Sequence, residues 1–382
     1  MTFNRRQFII GSTTLTMLGS PLFSARASGL NKRNLIVVIL RGGLDGLAAV
    51  PPKDRLLQKA RPDISSKSVI KLTSDFSLHP ELKTFHKLWK DNQAAVVHAT
   101  NIPYTDRSHF EGQDVMETGS TSPYASDTGW LGRGMESAEL AGLAVSLPMP
   151  LLLRGNIAAD NFFPASQEAP KLFNNIVSAS LETFDKNSYA YSAIKQLSER
   201  PQSMIWDIGS KRDAANLSKI AARQLIKEDG PRVAVFDING FDTHSGQGSE
   251  DGELAEHLSE FDSVIKNLKE GLGSEFSNSL IISLTEFGRK VEQNGGSGTE
   301  HGYGTAILMA GGLVRKSEVI SDWPGLKRKD LFEGQDLNST IDSRAIYCSA
   351  MAACFDVDFD YMRRKAFWGD SLPNLTDKLF KV

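Results

Sequence analysis

Cysteine is almost absent from this sequence, which has two cysteines in 382 residues. Cys348 and Cys354 lie six positions apart in a segment with helical character, so their side chains point about 240° apart and should not bridge each other. Neither their number nor their spacing matches a zinc-binding or redox motif. We therefore expect two buried thiols and no thiolate ligand in any metal site.

An excess of basic residues is also absent. The chain has 43 Lys and Arg against 46 Asp and Glu, a formal net charge of −3. Without a basic stripe, nucleic acid is not an expected partner. The chain also has no long apolar run after its N-terminal segment, so no membrane span is expected in the rest of the chain.

The N-terminal segment has the pattern of an export signal. Paired arginines (RRQF, residues 5–8) precede an uncharged stretch, and ARA at residues 25–27 offers a small-x-small cleavage site. This pattern predicts a twin-arginine signal peptide over residues 1–27. The alternative, a membrane anchor, fits less well because glycines and a proline interrupt the stretch.

The predicted export signal implies a location for the protein and a partner that transports it. We expect a periplasmic or otherwise exported protein that is carried by the twin-arginine translocase. Removal of residues 1–27 takes away three arginines and no acid, which leaves 40 basic and 46 acidic residues. The length of the remainder, residues 28–382, suits one large domain or two small ones, and we treat it as a single domain.

Apolar runs alternate with amphipathic helical segments along this remainder. Residues 78–92 and 253–272 place apolar side chains at helical spacing, the second with a glycine at its end. Short continuous apolar runs between helices indicate strands that are buried on both faces. The pattern predicts an α/β fold with a mostly parallel central sheet flanked by helices. The candidate strands are residues 34–40, 94–100, 231–238, 279–284 and 305–311.

The middle of the chain, residues 140–228, has a different character. Apolar residues at helical spacing in LFNNIVSASLETF and SKIAARQLIKE predict a mainly helical insertion. The stretch PMPLLLRG within it is a candidate for a further strand. A final helix is predicted over residues 341–355.

Unusual polar residues follow the predicted strands. In open α/β sheets, ligands bind in the crevice beyond the carboxyl ends of the strands, so these residues should meet at one edge. A glycine-rich loop before the last strand can bring a further histidine to the same edge. The candidates are Asp45, the Asp106–His109 group, Asp242, His244, Glu286 and His301.

Each of these residues also has a structural interpretation. Asp45 lies in a glycine-rich turn sequence, and Asp242 can cap a helix beside a surface His244. Glu286 and Arg289 can form a salt-bridged turn, and Ser108 can cap the following helix. Taken together, however, carboxylates and imidazoles at strand ends suit one or two Zn²⁺, Mn²⁺ or Mg²⁺ ions. Such an ion activates water or serine and neutralises an anionic substrate.

At these same positions the sequence resembles a known family. The stretches that carry the resemblance are RRQF, LRGGLDGLAAVPP, RSHFEGQDVMETG, GWLGR, FDTHSGQG, LTEFGR and GTEHGYGTAILMAGG. They are similar to the twin-arginine-exported proteins grouped as domain of unknown function 1501. That family is assigned to the alkaline phosphatase–sulfatase-like superfamily, which implies a large α/β sandwich with a two-metal site at the strand ends.

The resemblance also implies roles for individual residues. Asp45 corresponds to the first metal aspartate, and Ser108 or nearby Thr105 to the nucleophile at a helix start. Phe287 stands where the superfamily's Asp-His pair has its histidine. The second site is therefore either an oxygen-only site built from Asp45 and Glu286 or absent. Asp242, His244 and His301 correspond to the ligands of one metal, and Glu286 to the acid of the Asp-His pair.

These observations predict an exported metal-dependent hydrolase of phosphate or sulfate esters. Ser108 would attack the ester, and Arg289 or Arg107 would bind the oxygens of the anion in a bidentate fork. The expected substrate is a small anionic ester or one linked to a polysaccharide. Two alternatives remain: a non-catalytic exported assembly or binding protein that keeps the fold and part of the metal site, and a phosphoester-binding sensor.

Overall fold

A computed structural model describes most of the chain. It covers residues 33–145, 149–157, 159–161, 213–228 and 230–381, and three single residues (181, 183 and 191) between them. The predicted signal peptide, residues 1–27, lies outside the described residues. So does most of the predicted helical insertion, including LFNNIVSASLETF apart from Leu181 and Thr183.

The described strands are short and mostly free of proline. They are β1 (Asn34–Leu40), β2 (Ile70–Lys71), β3 (Ser77–Leu78), β4 (Ala94–Asn101), β5 (Gly142–Ala144), β6 (Ala159–Asn161), β7 (Val233–Ile238), β8 (Ser279–Leu284), β9 (Arg289–Gln293), β10 (Thr299–His301), β11 (Thr305–Ala310), β12 (Val319–Ile320) and β13 (Ile341–Asp342).

Nine of these strands form one sheet in the order β12-β4-β11-β8-β1-β7-β5-β6, with β13 also paired to β4. The pairs β1–β7, β1–β8, β5–β7, β5–β6, β4–β12 and β4–β13 are parallel. Among the described strands of this sheet, only β11 runs antiparallel to its neighbours, β4 and β8. The predicted mostly parallel sheet is therefore confirmed.

Helices cover both faces of the sheet. Because side chains alternate along β1, Leu35 and Val37 enter the core on one face, and Ile36 and Val38 enter the core on the other. This explains why the predicted strands read as continuous apolar runs. The described helices are α1 (Gly46–Ala49), α2 (Arg55–Ala60), α3 (Lys83–Lys90), α4 (His109–Thr118), α5 (Trp130–Ser137), α6 (Ala214–Leu225), α7 (Glu253–Leu272), α8 (Ser343–Phe355), α9 (Phe359–Ala366) and α10 (Thr376–Leu379).

The layers are held by apolar stripes at helical spacing. Helices α3, α6 and α7 pack on one face, and α4, α5, α8 and α9 on the other. In α7 the stripe runs from Leu254 to Leu272, and its leucines and Phe261 are buried. Full burial of one such side chain contributes about 1.5–3 kcal/mol. Within the described parts of the chain, we find no helix with the length and apolar character that a membrane span requires.

Several local expectations differ from the structure. Leu78, expected on the stripe of a helix, lies in β3, and α3 begins only at Lys83. Pro80 accounts for this delay because the residue before a proline avoids helical conformation. The candidate strand in PMPLLLRG is instead a short 3₁₀ helix, Leu151–Leu153. Both cysteines are free and buried in α8, as expected.

The register of the sheet brings five strand ends to one edge. Leu40 at the end of β1 lies beside Ile238 at the end of β7, and the end of β8 is level with Ile39. Because β11 is antiparallel, its first residue, Thr305, lies beside Thr100 near the end of β4. The polar segments that follow β1, β4, β7 and β8, and the segment that precedes β11, therefore meet at this edge.

One histidine of the core, His98 in β4, is completely buried. Its Nε2–H donates to the carbonyl oxygen of Val50 at 3.0 Å, and its Nδ1 accepts from the amide of Ala99 at 2.8 Å. Both ring nitrogens are thus satisfied in the neutral state. Burial is the main cause that lowers the pKa of His98 to about 4.

We predict that His98 makes the fold sensitive to mild acid. Because the pKa of His98 is lower in the folded state than in the unfolded state, its contribution to the free energy of unfolding is fully present above the unfolded pKa of about 6.5. That contribution is lost as the pH falls from about 6.5 towards 4. Between pH 7.5 and pH 5 the free energy of unfolding should fall by about 2 kcal/mol more in the wild type than in His98→Gln. Urea unfolding at both pH values measures this difference, and equal falls in the two proteins would contradict it.

Candidate metal centre

The site lies at the sheet edge described above and draws on three segments. His109 is the first residue of α4, directly after its N-cap Ser108. Asp242 and His244 lie in the loop that follows β7, and His301 is the last residue of β10. Four side chains from distant parts of the sequence therefore reach one place.

The ring nitrogens of three histidines converge there. His301 Nε2 lies 2.9 Å from His109 Nε2 and 3.0 Å from His244 Nε2. The carboxylate of Asp242 joins them: its Oδ1 is 3.0 Å from the Nε2 of both His301 and His244. Its Oδ2 is 3.2 Å from His109 Nε2. His109, Asp242 and His301 each offer a donor atom within 4.8 Å of the other two.

The opposite nitrogen of each ring faces an oxygen acceptor. His109 Nδ1 is 3.0 Å from the carboxylate of Glu286, and His244 Nδ1 is 3.0 Å from that of Glu300. His301 Nδ1 is 2.9 Å from the carbonyl oxygen of Arg107. These oxygens can only accept, apart from a protonated acid, so each Nδ1 carries the hydrogen. We assign the tautomers from this network.

This assignment leaves the three Nε2 atoms at the centre of the site without a hydrogen. A neutral imidazole has one N–H, and each ring uses it at Nδ1. Three Nε2 lone pairs and two carboxylate oxygens then face one another at 2.9–3.2 Å. Such an arrangement of acceptors is unfavourable unless a cation lies among them.

The residues fit a divalent metal ion. Ligand atoms about 2.0–2.1 Å from a tetrahedral zinc lie about 3.3 Å apart, close to the spacing seen here. The oxygen partner at each Nδ1 is the outer-shell contact that usually fixes a metal-bound histidine. Three imidazoles and one carboxylate suit Zn²⁺ or Mn²⁺ better than Mg²⁺, which prefers oxygen ligands.

Glu286 is a completely buried acid behind His109. Its Oε1 accepts from the backbone amide of Gly42 at 2.9 Å, from His109 at 3.0 Å and from Gln113 at 3.0 Å. Burial alone would raise the pKa of Glu286, but hydrogen bonds, first from His109 and Gln113, lower it. The hydrogen bond with Glu286 in turn is the main cause that raises the pKa of His109.

Phe287 forms the apolar floor of the site. Its ring centre lies 4.9 Å from that of His109 and 5.0 Å from that of His301. Gly43 gives the ring its space, since a Cβ there would come within 2.8 Å of Phe287. Gly43 also has a φ of +86°, which glycine adopts most easily. The side chain in the place of the expected second histidine thus packs beneath two other histidines.

Arg289 is buried under Asp242. Its Nη1 donates to Asp242 Oδ1 at 2.6 Å and to the carbonyl oxygen of Gly42 at 3.2 Å, and its other nitrogens donate to Thr299. Burial would raise the pKa of Asp242, but the hydrogen bond from Arg289 lowers it. The sequence predicted an anion-binding Arg289; the structure instead places its guanidinium where it orients a carboxylate of the protein.

Arg107 takes part through its backbone rather than its side chain. Its φ of +61° is unusual for a residue other than glycine, and its carbonyl oxygen accepts from His301. The guanidinium points elsewhere, to Asp336 at 2.6 Å and Glu333 at 2.6 Å. This geometry also differs from the predicted anion fork, because two carboxylates occupy the guanidinium.

Asp45 lies outside the histidine cluster. Its Oδ2 accepts from Arg61 at 2.7 Å and from Gln247 at 2.7 Å, and its Oδ1 accepts from the amide of Ala48 at 3.1 Å. Both Asp45 and Arg61 are almost completely buried. The two acids of the expected oxygen-only second site are therefore engaged separately, Asp45 by Arg61 and Glu286 by His109.

Ser108 precedes His109 and is half-buried. It is the N-cap of α4, but its side chain makes no capping hydrogen bond, and its backbone amide donates to the hydroxyl of Tyr104 at 3.1 Å. The alternative nucleophile, Thr105, is exposed. The hydroxyl of Ser108 thus lies one residue from a member of the cluster without serving as the cap.

Sequence reasoning missed His109 as a ligand. It appeared only among the polar residues that follow the second predicted strand. A signal was present, because His109 and Gln113 are four residues apart on a predicted helix and so share one face. In the structure both contact Glu286. Glu300 and Gln247 were also missed, and neither has a comparable spacing signal.

We predict that Glu286→Gln weakens metal binding without removing a ligand. Loss of an outer-shell partner of a histidine typically costs about 10–100-fold in metal affinity. Competition with a chelator measures the affinity. The matched control is Glu292→Gln, an exposed acid of β9. Equal affinities in the two variants would contradict the role assigned to Glu286.

We predict that Asp45→Ala lowers stability strongly, because it leaves the charge of Arg61 buried and unpaired. Breaking a buried pair in this way costs about 3–5 kcal/mol. Urea unfolding measures the loss. Asp54→Ala, which removes the cap of α2, should cost only about 1 kcal/mol. If Asp45→Ala instead unfolds like the wild type, the interpretation of Asp45 as a stabilising partner of Arg61 is wrong.

Comparisons with solved structures return distant similarities. The chain aligns with murine ectonucleotide pyrophosphatase/phosphodiesterase 5 at 10% identity and a TM-score of 0.44, covering 91% of this chain and 100% of that one. It aligns with the periplasmic domain of EptC from Escherichia coli at 11% identity and a TM-score of 0.40, covering 91% and 88%. The PsFucS1 sulfatase from Pseudoalteromonas sp. gives 12% identity and a TM-score of 0.39, covering 93% and 72%.

The comparison with protein families is more direct. No curated protein matches the chain. The sequence profile described as protein of unknown function DUF1501 matches residues 32–350, which is most of the chain and includes every member of the histidine cluster. The resemblance drawn from the sequence motifs is thereby confirmed, and the chain belongs to the DUF1501 family.

Proposed function

We propose that this protein is an exported metal-dependent hydrolase of phosphate or sulfate esters. The observation that carries the proposal is the convergence of a carboxylate and three imidazole Nε2 atoms whose rings carry their hydrogen at Nδ1. A site of this composition holds a cation, and its ligands on one side are partly exposed, which leaves access for a substrate. Export through the twin-arginine translocase is part of the same proposal.

In this proposal one ion is held by His109, Asp242, His244 and His301. A divalent ion bound there would supply Lewis-acid polarisation of an ester oxygen and an acidified water. Arg289 fixes the carboxylate of Asp242, and the acceptors at each Nδ1 fix the rings. We propose that Glu286 positions His109 and is not itself a ligand of the ion. Its Oε1 already accepts hydrogen bonds from His109, Gln113 and the amide of Gly42.

Ser108 is the proposed nucleophile. As the N-cap of a ten-residue helix, it lies where unpaired backbone amides and the helix dipole favour negative charge. Its hydroxyl is not used as a cap and is next to His109. In the reaction, Ser108 Oγ would bond to phosphorus or sulfur as the bond to the ester oxygen breaks, and the serine proton would end on the departing alcohol. Water would then cleave the serine ester, which releases the phosphate or sulfate and restores the Ser108 hydroxyl.

The charge of the substrate anion needs a partner other than the arginines first expected. Arg289 and Arg107 both pair with carboxylates of the protein. We propose that the bound ion and the N-terminus of α4 meet the anion instead. Small aryl esters and esters carried by a polysaccharide both present such a group, so both belong to the proposed substrate class.

A second candidate is a non-catalytic exported protein that binds a metal for assembly or ligand recognition. Two observations favour it. Phe287 fills the position where the resemblance expects a second imidazole, and it packs against His109 and His301. In addition, both predicted anion-binding arginines are already paired. This candidate predicts metal binding, with or without ligand-induced stabilisation, but no turnover.

We predict about one divalent ion per chain and metal-dependent hydrolysis of aryl phosphate or aryl sulfate esters. Elemental analysis gives the stoichiometry, and a chromogenic ester panel gives the activity. Ser108→Ala should abolish turnover and keep the ion, whereas Asp242→Asn should lose both.

The outcomes separate the candidates. An ion-loaded wild type that turns over no ester on the panel supports the non-catalytic candidate. A purified wild type that takes up no Zn²⁺ or Mn²⁺ excludes both.

A further inference from the structure

We propose that His244 is the exchangeable ligand of this centre, and that an oxygen of the substrate's anionic group takes the place of its imidazole. The inference rests on the proposed function, and it assigns unequal roles to four side chains that the sequence cannot rank. His109, Asp242 and His301 form the permanent set.

Buried partners hold the permanent set. Behind His109 is the carboxylate of Glu286, whose side chain is 0% exposed. Behind Asp242 is the guanidinium of Arg289, which is also 0% exposed. His301 is held by a backbone carbonyl. A hydrogen bond shielded from water is stronger and less easily exchanged than one at the surface.

His244 has the opposite surroundings. Among the three imidazoles its side chain is the most exposed, at 39% against 25% for His109 and 22% for His301; Asp242 is also 39% exposed, but its partner Arg289 is buried. Its Nδ1 partner, Glu300, is 49% exposed. Because water reaches both groups, this hydrogen bond is more easily exchanged than the shielded one behind His109. The imidazole of His244 is therefore the one that leaves the centre at least cost.

The position of His244 in the cluster agrees with this ranking. The donor atoms of His109, Asp242 and His301 all lie within 4.8 Å of one another. His244 Nε2 is close to two of these residues: it lies 3.0 Å from His301 Nε2 and 3.0 Å from Asp242 Oδ1. His109, Asp242 and His301 can therefore hold an ion with three ligands, and the exposed His244 lies where a substrate can approach.

The exchange requires only rotation of the side chain. The carbonyl oxygen of His244 accepts from Asn294 Nδ2 at 2.8 Å, and its amide donates to the carbonyl of Asp242 at 3.0 Å. Gly298 packs so closely that a Cβ there would lie 2.3 Å from the carbonyl carbon of His244. The backbone is thereby fixed, and the ring can swing on its own Cα–Cβ bond.

The test is a titration of the metal-free protein with Co²⁺, read from its visible absorption. We expect His301→Ala to weaken Co²⁺ binding by more than the about 100-fold that loss of an outer-shell partner can cost. His244→Ala should weaken it by less than about tenfold and should change the spectrum. His86→Ala, in α3 on one face of the sheet, is the control and should match the wild type.

A second titration, with inorganic phosphate, tests the exchange itself. Phosphate should change the Co²⁺ spectrum of the wild type and should bind more tightly to His244→Ala, because no imidazole has to leave. Equal losses of Co²⁺ affinity in His244→Ala and His301→Ala would overturn the proposal. So would phosphate binding that is weaker in His244→Ala than in the wild type.

These readouts do not depend on turnover. A wild type that binds Co²⁺ and phosphate as described but hydrolyses no ester would contradict the hydrolase and support the exchange. A wild type that binds no Co²⁺ would overturn the metal centre and the exchange together.

Discussion

The single hydrogen of a neutral imidazole is the constraint on which this site depends. Three rings use that hydrogen at Nδ1, each on a different oxygen acceptor, and so turn three lone pairs toward one point. The surrounding residues serve this arrangement. Glu286 is buried with its hydrogen-bond partners in place, Arg107 adopts a left-handed backbone conformation to present its carbonyl oxygen, and Arg289 orients the carboxylate that completes the set.

The fold supplies this arrangement through strand register. Because β1, β7 and β8 end level with one another, the loops that follow them share one crevice, and the antiparallel β11 brings His301 in from the other direction. Two buried arginines supply positive charge to carboxylates of the protein. Arg61 neutralises Asp45 outside the histidine cluster, and Arg289 neutralises Asp242 within it.

The sequence predicted the frame of the molecule better than the roles within the site. Continuous apolar runs predicted the buried strands correctly, because a strand that is buried on both faces is apolar at successive positions. The stripe of α7 was equally clear. Asp242, His244 and His301 were found because polar residues at strand ends are unusual. The pairing of charged side chains could not be predicted in this way. No local sequence pattern indicated that Arg61, sixteen positions from Asp45, would bind it, or that the Arg289 side chain would turn inward. His109 was missed because one histidine at a helix start resembles a cap neighbour.

The distance along the chain between the ligands has a consequence for the order of assembly. His109 and His301 are 192 residues apart, and their nitrogens meet only after β4, β8 and β11 have paired. The complete set of ligands therefore exists only where this long-range strand pairing is in place. The segments that carry the ligands are also joined by hydrogen bonds outside the cluster, such as that from the amide of Thr299 to the carbonyl oxygen of Thr243 at 3.0 Å. A bound ion would act as one further, removable cross-link across the crevice, and its loss would leave these hydrogen bonds and the sheet beneath them in place.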